Sequence, residues 1–190
     1  MNLVNRLPDF VELDGEHYKI NTDFRVWIYV EKLLISGGVS PAAKAAKMLE
    51  LCYQKRLPPD ISAAVRLLLQ FYCGGTYHAA ATKGFGSAKR IYDFEQDAGL
   101  FYAAFLQVYG MDLTQVQLHW WKFLELFYAL DGDCKLCKVM HWRAVDLSKI
   151  SDKGQKDFYR KMKRCYRICN DRDGKESDQF LAEVLSEAVK

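Results

Sequence analysis

The sequence predicts a mainly α-helical protein, built as two helical units with a small N-terminal β-hairpin. Three observations carry that prediction. Apolar residues recur at steps of three and four through most of the 190 residues, and there are only four prolines to interrupt them. An Asp14-Gly15 pair sits between two short alternating runs. A glycine-rich stretch without apolar periodicity then divides the chain, giving residues 1–75 (hairpin and three helices), a linker at 76–90, a helical unit at 91–170, and a loop with a short terminal helix at 171–190.

Taken in order, Phe10–Ile20 reads as the hairpin, because both residues of a two-residue type I′ turn need positive φ and Asp-Gly tolerates it. A lone hairpin is marginal in water, so it is expected to lie on the helices that follow. Thr22 is placed to cap a helix over 23–36, with Phe24, Trp27, Ile28, Val30, Glu31, Leu34 and Ile35 in its pattern and Gly37-Gly38 as its stop. Ser40-Pro41 supplies a cap and a first-turn proline for a helix over 41–56, packed through Ala45, Met48, Leu49, Cys52 and Tyr53. Leu57-Pro58-Pro59 ends it. Asp60 caps a helix over 61–73, with Val65, Leu68, Leu69 and Tyr72 on one side.

In the second half, Asp93 is expected to cap a helix reaching Tyr109, with Phe94, Ala98, Phe101, Phe105 and Val108 along one face. Glu95 and Asp97 fall in its first turn, where the macrodipole favours negative charge. Residues 114–130 read as a central helix, apolar over most of its circumference and therefore buried on several sides. Gln115, His119, Lys122 and Glu125 form its narrow polar stripe, and Trp120 and Trp121 are its expected anchors. A helix at 134–145 carries Leu136, Val139, Met140 and Val145. One at 152–169 has the apolar stripe Phe158, Met162, Cys165, Tyr166 and Cys169. Phe180, Leu181, Val184, Leu185 and Ala188 mark the terminal helix.

Half the residues are hydrophobic and 27% are charged, the composition of an ordinary soluble domain. The first ten residues lack the apolar run of a signal peptide, and no run of about 18 apolar residues exists to span a membrane. A cytoplasmic protein with six reduced thiols is the expectation. Net charge is +3, but Leu147–Lys175 holds ten basic against four acidic residues, so that segment is +6 and the remainder −3. Lys156, Arg160, Lys163 and Arg167 step by four, three and four along one face of the helix there, a candidate partner-binding surface. Such a stripe suits phosphates or an acidic protein, and a solvated helix face explains it as simply.

Catalytic and cofactor constellations are not evident. Cys134-x-x-Cys137 and Cys165-x-x-x-Cys169 could supply four thiolates for tetrahedral zinc, but their helical spacing, without glycine-rich knuckles, reads as small hydrophobes on helix faces. His119, Lys122 and Glu125 have no activated nucleophile or orienting group beside them. Asp93 and Asp97 are explained by capping. No phosphate loop is present. The expectation is therefore a non-enzyme with no catalytic residues, cofactor or metal.

The runs YDFEQDAGLFYAAFLQVYGMDL at 92–113, LHWWKFLELFYAL at 118–130 and KVMHWRAVDLSKI at 138–150 carry further information. With INTDFRVWIYVEKLL at 20–34 and PPDISAAVRLLLQFYCGG at 58–75, they resemble a family of small proteins of tailed phages and prophages of Gram-positive bacteria. Those proteins are encoded in the tail module next to the tape-measure gene. The resemblance covers most of the chain, and Leu118–Phe123 is its most specific part. It implies a tail-morphogenesis protein of the host cytoplasm, a tail-assembly chaperone whose partners are the tape-measure protein and other tail-assembly proteins, with self-association as a further option. The alternatives are a nucleic-acid-binding protein using the basic helix at 153–167, or a minor structural tail protein.

Overall fold

The computed structural model describes residues 6–74 and 90–169. Nearly all of the expected linker, and the expected terminal helix, lie outside the described residues. Among those described, the order is strand β1 (Phe10–Leu13), strand β2 (Glu16–Lys19) and helices α1 (Phe24–Ile35), α2 (Pro41–Cys52), α3 (Ile61–Tyr72), α4 (Ala98–Tyr109), α5 (Trp120–Tyr128), α6 (Lys135–Ala144) and α7 (Lys153–Cys165). A 3-10 turn at Leu147–Lys149 precedes α7. The mainly helical class and the hairpin are as the sequence predicts.

Two compact units form: Met1–Ala88 with Tyr102–Asp131, and Lys89–Phe101 with Gly132–Lys190. The sequence division at 76–90 instead groups everything from 91 to 170. The difference lies in residues 102–131, whose aromatic side chains complete the first core.

The hairpin of the first unit is antiparallel, with Leu13 opposite Glu16 and Val11 opposite Tyr18. Asp14 (φ 52°) and Gly15 (φ 78°) make the turn, the conformation that Asp-Gly was expected to supply. Val11 and Tyr18 are both buried. The strands are continued by local bridges: Ile20 pairs with Tyr53, and Gln54 N–H donates to Lys19 O at 3.1 Å. That pairing needs extended backbone, so α2 stops at Cys52 and not at 56.

A second bridge joins Asp23 to His119. Phe24 N–H donates to Leu118 O (3.0 Å) and Trp120 N–H to Thr22 O (2.7 Å). The Arg25 guanidinium donates to Leu113 O (2.8 Å) and Val116 O (2.9 Å). These contacts correct two expectations. Residues 114–119 do not form a helix: the Val116 and Leu118 carbonyls are taken by Arg25 and Phe24, the Gln115 and Val116 amides close a turn on Asp112 O, and α5 begins at Trp120. Asp23, not Thr22, caps α1, with Oδ1 accepting from Arg25 N–H at 2.9 Å.

The core of the first unit is aromatic. Trp27 and Trp120 are fully buried and near-parallel, 6.4 Å apart. Phe123 stacks on Phe24 (4.9 Å) and on Phe105 (5.1 Å). Each large ring with a polar edge has a partner, as burial requires: Trp27 Nε1 donates to Asn21 O, and Trp120 Nε1 to Tyr72 O, both at 2.8 Å. Trp121 is only half-buried, although its Nε1 reaches Phe71 O at 2.7 Å. Helix α3 buries Ala63, Ala64, Leu68 and Phe71, a face rotated from the expected Val65, Leu69 and Tyr72.

In the second unit α6 buries Leu136, Val139 and Arg143. Helix α7 packs beside it through half-buried Tyr159, Met162, Lys163 and Tyr166. Phe158 is 48% exposed, and Cys165 and Cys169 are exposed. The expected apolar stripe of this helix is therefore only partly used.

Candidate interaction surfaces

The four basic residues singled out from the sequence are not equivalent. Lys163 Nζ donates to Arg143 O at 2.8 Å, which fastens the end of α6. Arg160 pairs with Asp157 one turn earlier. Lys156 is half-buried. Arg167 lies beyond the α7 C-cap, Tyr166, and its carbonyl accepts from Gln96 Nε2 at 2.8 Å. Exposed cations on α7 are instead Lys153, Arg160, Lys161 and Arg164.

His119 is the N-cap of α5. Its Nδ1 accepts from Trp121 N–H at 3.1 Å, and Nε2 lies 3.1 Å from Pro8 O. A carbonyl can only accept, so the Nε2–H tautomer satisfies both contacts. Burial lowers its pKa, opposed by the Pro8 bond and assisted by Lys122. Neutral and doubly engaged, this ring is a structural cap. Gln115 lies outside the helix, so the stripe of Gln115, His119, Lys122 and Glu125 does not form.

The cysteines are similarly occupied or separate. Cys134 caps α6, its Sγ accepting from Cys137 N–H at 3.5 Å. Burial alone pushes the Cys52 thiol up to about 12. Among the described residues, no group of three or more His, Cys, Asp or Glu is arranged to hold a metal ion.

Asp97 has a role the sequence did not show. Asp93 Oδ1 accepts from the N–H groups of Glu95 and Gln96, both at 2.8 Å, so the first turn is a separate capped turn and α4 begins at Ala98. The Asp97 carboxylate faces inward onto Arg143, at 2.5 Å from Nη1 and 2.9 Å from Nη2. Both side chains are 4% exposed. Arg143 also donates to Ile91 O (3.0 Å) and Tyr166 O (2.5 Å). The signal was present: Leu136, Val139 and Arg143 sit at steps of three and four, so an arginine occupies the apolar stripe of α6.

Among the described residues, α4 and α7 each carry exposed apolar side chains. The sequence from Ala98 to Gly110 holds no charged residue, and Tyr102, Leu106 and Val108 of α4 are 37–44% exposed. On α7, Phe158 and Cys165 are exposed two turns apart, with Lys161 and Arg164 beside them.

These features define a mainly helical protein in which Arg143 and His119 are engaged in holding its own backbone. The chain belongs to the family described as Bacteriophage Gp15 protein, which it matches over residues 3–168. It is thus a phage protein. No curated protein and no solved structure matches it. Among the described residues, no helix is long and apolar enough to cross a membrane.

Proposed function

We propose that this phage protein acts in tail morphogenesis as a tail-assembly chaperone, through contacts and not catalysis, with the tape-measure protein as its partner. The observation that carries the reading is membership of the phage family over 3–168, joined to the sequence resemblance to tail-module proteins. The physical support is the uncharged face of α4. A long helical chain awaiting assembly exposes apolar stripes, and an uncharged helix face with Tyr102 and Leu106 one turn apart offers a complementary surface for such a stripe.

Co-expression tests it. The tape-measure protein is expected to stay soluble with this protein and to precipitate without it. Leu106→Glu and Tyr102→Glu place charge on the face and are expected to abolish that protection while the protein itself stays folded. Equal solubility of the tape-measure protein with and without this partner would overturn the reading.

A further inference from the structure

We infer that the outer edge of β1 is a docking surface for a second copy of this chain, the two β1 strands pairing antiparallel through Phe10 and Glu12. The inference is independent of the tail-assembly reading and starts from the hydrogen-bond pattern of the hairpin. In a two-residue hairpin the closing pair, here Leu13 and Glu16, exchanges both backbone bonds, and bonded and non-bonded pairs then alternate. Val11 with Tyr18 is therefore bonded within the hairpin. So is Asp9 with Ile20, whose N–H donates to Asp9 O at 2.9 Å. Phe10 and Glu12 are left with N–H and C=O both pointing away from β2. The same alternation turns Lys19 outward on β2, where Gln54 N–H takes its carbonyl at 3.1 Å. Among the described residues, the Phe10 and Glu12 backbone groups have no such partner. Their side chains are engaged locally, Phe10 stacked on His17 at 4.0 Å and Glu12 lying 3.6 Å from Nε2 of the same ring.

The open stretch has fixed ends. On one side Pro8 has no N–H, and its carbonyl is already 3.1 Å from His119 Nε2. On the other the chain leaves the strand at Asp14, with φ 52°. Two alternate residues of one strand thus present donor and acceptor together, which is what a sheet edge offers to an added strand.

Those groups are self-complementary. Identical edges related by a two-fold axis meet antiparallel. Pairing Phe10 with Glu12 of the second copy, and Glu12 with its Phe10, satisfies every outward group on both strands. A shift to either side fails. Phe10 opposite Phe10 sets Glu12 against Pro8, which has no amide to give and a carbonyl already bonded. Glu12 opposite Glu12 sets carboxylates face to face and Phe10 against the turn at Asp14. The remaining register puts each Glu12 opposite a phenylalanine. It also keeps the buried Val11 and Tyr18 of both copies on one face of a four-stranded sheet.

Amide exchange, followed by NMR over a concentration series of the full-length protein, tests this. The Phe10 and Glu12 amides are expected to exchange freely in dilute protein and about tenfold more slowly where the dimer dominates. Val11 and Leu13, bonded within the hairpin, should be protected throughout. Sedimentation should show monomer giving way to dimer over the same range. Glu12→Pro deletes an outward N–H and no bond of the hairpin, so it should stay folded and monomeric. Free exchange at Phe10 and Glu12 at every concentration would overturn the inference, even in a protein that dimerises, since the interface would then lie elsewhere. Protection already complete in dilute protein would also overturn it, by assigning the edge to a segment of the same chain.

Discussion

At the scale of single residues, His119 shows how one side chain can be spent on structure on both sides. Nδ1 receives the Trp121 amide and Nε2–H reaches Pro8, so protonation would remove the cap acceptor. Its folded pKa lies below the ordinary histidine value, chiefly through burial. The unfolded chain therefore binds the proton more readily. The stabilisation is complete above the unfolded pKa of about 6.5 and is lost as pH falls below it toward the folded value. Urea midpoints are expected to fall between pH 7 and pH 5, and His119→Asn should flatten that slope, since asparagine caps without titrating. Asp112 and Asp146, lowered by hydrogen bonds from Thr114 and Ser148, act in a separate and more acid window. An undiminished slope in the asparagine variant would show that another group titrates. The sequence offered this histidine as a helical stripe residue because spacing cannot reveal a partner 111 positions away.

At the scale of elements, local signals were readable and remote ones were not. The caps Ser40 and Asp60 are both formed, because each needs only an amide three residues on. The start of α5 and the end of α2 were misplaced, because extended pairing with residues 20–24 overrides the helical pattern there. Arg143 belongs to the second kind. Its guanidinium ties the turn before α4, helix α6 and the end of α7 in one buried cluster. Removing one partner of a buried pair leaves the other charge without compensation, at a cost of about 3–5 kcal/mol. Arg143→Met is expected to destabilise the second unit by that amount in chemical denaturation. Arg143→Met/Asp97→Leu should cost less than the two single changes summed, because no charge is left stranded. A loss below about 1 kcal/mol for Arg143→Met would mean that the pair is hydrated and not sealed.

At the scale of the whole molecule, the helical class follows from periodicity, whereas the membership of the two units does not. Residues 102–131 join the first unit through Phe105, Trp120 and Phe123, and stacking between remote rings leaves no mark on local spacing. Exposed apolar side chains also bear on how the protein meets other chains. Tyr29, Ile35, Leu57, Ile61, Leu106, Tyr128 and Phe158 are spread over five helices and a loop, and among the described residues only α4 presents neighbours one turn apart without charge. Permanent interfaces usually exceed about 2,000 Å² and resemble a core cut in half. One uncharged helix face is far smaller, and small interfaces belong to complexes that form and release. The proposed chaperone, leaving before the tail is complete, would use a surface of this kind. The protein is therefore expected on isolated tail-assembly intermediates and absent from purified virions by quantitative mass spectrometry. Recovery from virions in fixed ratio to the other tail proteins would make it a structural component, and the face of α4 would then be one part of a larger interface.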